Sequence, residues 1–318
     1  MRQEIDHMTI EKSKTTMKCH SKLVLGTVQL GLRYGIRHRD YKPPSSLEVE
    51  KILAVANSRG VASLDTAFEY GDSELLIGEF RPSSWHPRII TKTPKLRGGN
   101  MFKSSGSLLS SAYDISCQNL KVDRCDVLMV HDPENLFQPG GEHLIEALHE
   151  IAESGRVGKI GISIYDRSQI DRAFELFPFA VLQAPVSLAD QRLLTDGTLR
   201  DLKQRGVEIH ARSLFLQGAL LMGLEEIPPG LMELAPAVIE LIRRSAEVEI
   251  SPMQALLGFA IARQEIDAVV VGVNLASQLV EVCDYSMRRL PEDFDRSVLP
   301  IGNQTLLDPG TWAGRINI

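Results

Sequence analysis

What most constrains the fold of this chain is an alternation repeated eight times: a short apolar run, then a longer segment of helical period or a polar loop. The runs cover residues 22–27, 61–66, 88–92, 125–131, 157–163, 179–184, 206–212 and 268–273. Their Val, Ile and Leu fall on both alternating faces, the pattern of strands covered on both sides in a parallel sheet. Helical period fills the intervals. In 46–60, Leu47, Ile52, Leu53 and Val55 give an apolar side closed by Gly60. Further helices are expected over 104–120, 141–154, 167–176, 190–205 and 275–286, with two more in 231–263 split near Ser251 and Pro252. Eight such units close most simply into an α/β fold of the (β/α)8 TIM-barrel type, with an open doubly wound sheet as runner-up. A single barrel domain is expected over 22–318, since 318 residues comfortably hold a barrel of about 250.

The first 21 residues mix charge and polarity and read as a flexible extension, with Met8 or Met17 as alternative starts. No signal peptide or membrane span is visible, so a cytoplasmic protein without a membrane partner is expected. A formal charge of −6 provides no basic field for nucleic acid, which leaves small molecules as ligands. Cys19, Cys117, Cys125 and Cys283 form no C-x-x-C pair and read as free thiols. No metal site is expected: His143, Glu146 and His149 share a helix but lack the H-E-x-x-H order. Nothing marks an oligomer interface, and a monomer is the simplest expectation.

Barrel chemistry gathers at the C-terminal ends of the strands. The second run ends in Asp65 with Tyr70 in the loop beyond, the third in Lys92 and the fourth in His131. These types make a proton-transfer set. A phenol titrates near 10, but a cation about 4 Å away contributes on the order of 4 kcal/mol at an effective dielectric of 20, enough to bring it towards neutrality. Lys92 would be that cation, Asp65 the carboxylate that keeps it charged, and His131 a hydrogen-bond partner for a substrate carbonyl. Taken singly, each has a plainer reading: a helix N-cap for Asp65, packing for Tyr70, a solvated end for Lys92, a turn for His131.

In this order the stretches "LGTVQLG", "LDTAFEYG", "IITK", "DVLMVHDPE", "VGKIGIS", "VLQAPVSL", "HARSLFLQGALL" and "VVVGVNLASQLVEV" resemble the aldo-keto reductase superfamily over roughly residues 22–290. The resemblance implies a (β/α)8 barrel and reversible hydride transfer between a nicotinamide dinucleotide and a small carbonyl, alcohol or sugar-like substrate. It assigns the catalytic set to Asp65, Tyr70, Lys92 and His131. For the cofactor it implies Gly26, Thr27 and Asp65 beside the nicotinamide ribose, Ser163 and Gln183 on the carboxamide, and Arg212 on the nicotinamide face. Ser213, Leu214, Phe215, Gln217 and Gly218 would form the pyrophosphate loop, and Gly272, Asn274, Gln278 and Glu281 the adenosine end. Ile164 and Val282 replace asparagines usual in the family. No Lys or Arg stands near Gly272 or Gln278 to meet a 2′-phosphate. NADP(H) is slightly favoured and NAD(H) stays open.

The first loop carries Arg33, Arg37, His38, Arg39 and Lys42, which suit an anionic or hydroxylated ligand or simply face solvent. Segment 220–230 is read as a lid or a plain loop, and Trp312 as a substrate wall or a tail anchor. The opening motif is similar to a bacterial branch associated with polysaccharide and sugar metabolism. The alternative is a catalytically weak, dinucleotide-binding regulatory protein of the same fold.

Overall fold

The structure, a computed structural model, describes residues 18–36 and 42–316. The expected extension, for residues 1–17, and Arg37, His38 and Arg39 of the first loop lie outside the described residues. Eight parallel strands form a closed barrel in sequence order: β1 Leu23–Gly26, β2 Ser63–Asp65, β3 Arg88–Lys92, β4 Cys125–Val130, β5 Val157–Ser163, β6 Val181–Pro185, β7 Glu208–Arg212 and β8 Ala268–Gly272. Closure is made by β1 against β8, with Leu23 opposite Val269 and Gly26 opposite Gly272. Among the described residues no helix is long and apolar enough to cross a membrane.

Two cores result. A small one fills the barrel interior: Val24, Ile90, Val127, Met129, Val181 and Ala268. A larger one lies between the strands and their helices, with Leu25, Leu64, Ile89, Leu128, Leu182 and Val269 facing outward onto it. Alternation along a strand then decides what reaches the mouth. Two residues beyond inward Ile90 is Lys92, two beyond Met129 is His131, and two beyond Val181 is Gln183. The same step carries β8 from Ala268 through Val270 to Gly272. The apolar interior is one layer thick, and polar groups begin immediately above it.

The helices differ from expectation in two places. Segment 190–205 is broken into Arg192–Thr195 and Thr198–Gln204, because Gly197 takes a left-handed φ of 82° that an α-helix cannot continue through. An eight-residue helix, Ser73–Phe80, follows β2 where only a loop was expected. A further core packs Leu231, Leu234, Leu241 and Phe259 against Leu306, Leu307 and Trp312. Trp312 is 1% exposed and its indole N–H donates to the Leu306 carbonyl at 3.2 Å, so it anchors the tail and forms no substrate wall. Segment 220–230 packs Leu220, Met222 and Ile227 into the same core and is built as 3-10 turns, not as a detached lid.

Candidate active site

Asp65 ends β2 with 3% exposure, too deep to cap a helix in solvent. One carboxylate oxygen accepts from the Lys92 ammonium at 2.5 Å and the other from the Gln183 amide at 2.7 Å. Lys92, 1% exposed, gives a second hydrogen bond to the Thr66 carbonyl at 2.9 Å. Burial pulls its pKa down and Asp65 opposes that shift. The ammonium is therefore a structural charge whose partners are all on neighbouring strands.

Tyr70 follows through a tight turn in which its backbone N–H donates to the Ala67 carbonyl at 3.0 Å. Gly31 and Gly71 make that turn possible. A Cβ on Gly31 would collide with the Tyr70 carbonyl oxygen, and Gly71 has a left-handed φ of 57°. Ser73 donates its hydroxyl to Thr27 and ties the turn to the end of β1. Lys92 Nζ lies 5.1 Å from the Tyr70 ring centroid, and the His131 ring meets Tyr70 edge-on at 5.7 Å. The four side chains gather as the strand ends suggest.

The electrostatics correct one expectation. Tyr70 is pushed up from its ordinary value, not down: burial is the main cause, Asp65 adds to it, and Arg212 only partly offsets it. Asp65 does pair with Lys92, at 2.5 Å as expected, but the paired carboxylate also faces the phenol and, with burial, outweighs the cation. His131 is driven down to about 2, first by burial and then by Lys92, Lys95 and Arg212. Its imidazole is neutral at any physiological pH, and its Nδ1 has no partner among the described residues.

A cavity of about 400 Å³ opens over this group. Asp65 and Tyr70 line it; Lys92 and His131 do not, which corrects the picture of four groups facing one space. Of the residues expected around a cofactor, Gly26, Thr27, Gln183, Arg212, Ser213, Leu214, Phe215, Gln217, Gly218, Gly272, Asn274, Gln278 and Glu281 all border it. Ser163, 5% exposed at the end of β5, is outside the lining. Arg212 lays its guanidinium over Tyr165, 4.3 Å from the ring centroid, and donates to the Ile164 carbonyl at 3.0 Å. It therefore already has an aromatic partner.

The loop after β7 is strained. Ser213, Leu216 and Gln217 all have positive φ, 63°, 48° and 53°, at a cost of order 1–3 kcal/mol each. The Gln217 carbonyl accepts from the Ile36 backbone N–H at 3.1 Å, joining this loop to the one after β1. The sequence reading missed Gln29 and Tyr34, both on the cavity wall. Tyr34 is 40% exposed and stands on the wall near Tyr70 and Arg212. Its signal was faint: an aromatic residue among the charges of a loop read for its basic residues.

Residues 22–297 match the model of the Aldo/keto reductase family. The chain is 27% identical over 241 residues to L-galactose dehydrogenase of Arabidopsis thaliana, covering 70% of this chain and 72% of that one. It is 29% identical over 153 residues to D-arabinose 1-dehydrogenase of Saccharomyces cerevisiae, covering 46% and 43%. Among solved structures, a thermostable aldo-keto reductase crystallised with the inhibitor epalrestat aligns with a TM-score of 0.65 at 21% identity, over 86% of this chain and 92% of that one.

Proposed function

From the premise that this chain belongs to the aldo/keto reductase family and is an NAD(P)H-dependent oxidoreductase, we propose that it acts on the carbonyl or hydroxyl carbon of a small sugar, with Tyr70 as the proton donor. The observation that carries this reading is the buried chain Gln183–Asp65–Lys92 behind a phenol that faces the cavity. The sugar class is suggested by the two dehydrogenases, whose names specify L-galactose and D-arabinose.

The cavity wall suits a dinucleotide. Gly26, Gly218 and Gly272 keep side chains off it, and the Gln29 amide oxygen and Arg212 Nε are buried polar atoms without partners among the described residues. The bound dinucleotide supplies or takes the hydride. The protein handles the proton. Tyr70, protonated through neutral pH because burial and Asp65 hold its pKa up, gives its hydroxyl proton to the carbonyl oxygen as negative charge develops there. Lys92 keeps a positive charge beside the ring, so the phenolate left behind forms in a less hostile field. His131, neutral and edge-on to Tyr70, holds the phenol ring turned towards the cavity. Asp65 holds Lys92 in place, and Gln183 fixes the carboxylate.

At the end of β8 the lining offers Gly272, Asn274, Gln278 and the carboxylate Glu281. That set suits a 2′-hydroxyl at least as well as a 2′-phosphate, so NADP(H) and NAD(H) are to be titrated side by side. The test is dinucleotide binding followed by turnover at 340 nm over a panel of aldoses and simple aldehydes. Saturable binding with turnover on aldoses is the expected result. Binding without turnover on any carbonyl or alcohol would instead favour a regulatory role.

A further inference from the structure

Most polar side chains expected to hold the dinucleotide are committed to the protein itself. Thr27 Oγ1 donates to the Asp65 carbonyl at 3.0 Å and accepts from Ser73 at 2.9 Å. Gln183 donates to Asp65 at 2.7 Å. The Gln278 amide oxygen accepts from the backbone N–H groups of Asn274 and Leu275, at 2.8 and 3.2 Å. These residues build the wall.

Gln29 is different. It stands on the helical turn Val28–Gly31, directly after β1, and borders the same cavity. Its amide oxygen is shut off from solvent, and no described residue donates to it. The amide rests against Gly272, where any Cβ would collide with its oxygen, nitrogen and carbon. The missing side chain at the end of β8 is thus what gives this carboxamide its place. A desolvated amide oxygen with no partner among the described residues is a cost that folded proteins keep rarely, and chiefly where a site makes use of it.

We infer that the Gln29 carboxamide is a ligand-binding group that accepts a hydrogen bond from a hydroxyl of the bound molecule. The inference rests on the reading of the cavity as a dinucleotide and sugar site. The terminal torsion of a glutamine is soft, so the amide turns its oxygen to the cavity without leaving its rotamer well. Gly272 leaves room for that turn. The hydroxyl comes from a ribose of the dinucleotide or from the sugar, and the chemistry is the same for both.

The test is calorimetric titration of NADPH and NADH into the wild type, Gln29→Leu and Gly272→Ala, with KM for an aldose at saturating dinucleotide. Leucine fills similar space without the amide. Gln29→Leu is expected to raise a dissociation constant or the KM by about tenfold while leaving the melting temperature equal or higher, since an unbonded amide is replaced by an apolar group. Gly272→Ala is expected to shift the same constant in the same direction, by displacing the amide. A rise confined to dinucleotide binding assigns the ribose; one confined to KM assigns the sugar. Unchanged constants with a lowered melting temperature in Gln29→Leu would make Gln29 a packing residue and overturn the inference. Failure of the wild type to bind either dinucleotide is a different result: it removes the proposed function itself.

Discussion

β3 begins with Arg88 and ends with Lys92, and β7 begins with Glu208 and ends with Arg212, so the same two strands carry charge to both ends of the barrel. At the floor, the Glu208 carboxylate pairs with Arg88 through both oxygens and takes further bonds from Lys159 at 2.8 Å and His210 at 2.7 Å. Burial alone would raise its pKa, yet the bonds from His210, Arg88 and Lys159 outweigh burial and hold it well below the carboxylate range. At the mouth, only the Asp65–Lys92 pair is satisfied in this way. Beside it the Tyr70 phenol faces a cavity, whereas the His131 Nδ1 has no partner among the described residues, as is also true of His210 Nδ1 at the floor. Both clusters are charged, but the floor cluster is partly open to solvent, with the Lys159 side chain 48% exposed, so a gathering of charge alone does not mark a reacting centre. What marks it is a satisfied ion pair next to a phenol that opens on a space for a ligand.

Substitutions that remove one cation from each end put this to the test. Lys92→Met leaves Asp65 buried without its counter-ion, and a loss of about 3–5 kcal/mol in urea unfolding is expected. Turnover is expected to fall by at least about 10²-fold, because the charge beside Tyr70 is gone. Arg88→Met is expected to cost about 2 kcal/mol in the same assay, the partner being still held by Lys159 and His210, with turnover little changed. Equal losses of turnover in the two variants would erase the distinction between mouth and floor.

A smaller effect is expected at His131. His131→Gln should lower kcat by about 10²-fold with unfolding little altered, because the ring that positions the Tyr70 phenol is lost. Because the imidazole pKa is already down at about 2, the pH–rate profile between pH 5 and 9 should keep its shape in the variant. A limb near pH 6.5 that disappears in the variant would show a titrating histidine instead.

The smallest effect concerns acid stability at the floor. Glu208 has a folded pKa below the ordinary 4.5, so its contribution is fully present above that value and is lost as pH falls towards the folded one. Glu208→Gln is expected to flatten the acid limb of stability against pH, read from urea unfolding between pH 3 and 7. An unchanged slope would place the acid sensitivity elsewhere.

Much of this arrangement was legible in the sequence because strand alternation is strict. Asp65, Lys92 and His131 fall at the ends of runs whose inward parity is set by Val, Ile and Met, so their convergence follows from the barrel, whereas Gln183 came only from the family resemblance and was given a different partner. Helix Ser73–Phe80 was not legible: eight residues directly after a turn give too short a period to read. The break at Gly197 was hidden for a related reason, since apolar spacing continues on either side of it. Gln29 was missed because its significance depends on Gly272, more than 200 residues away in sequence and in contact only once β1 closes on β8. The direction of the Tyr70 shift was lost because spacing pairs Asp65 with Lys92 but does not show how deeply the phenol is buried or that Asp65 acts on it as well.

The central claim is that Tyr70 passes the proton while its neighbours hold a fixed field around it. Single-turnover oxidation of bound NADPH or NADH by an aldose, followed in the wild type and in Tyr70→Phe, tests it most directly. A fall of about 10²- to 10⁴-fold in the hydride-transfer rate, with the dinucleotide dissociation constant little changed, is the expected result. A phenylalanine variant that transfers hydride at the wild-type rate would contradict the account.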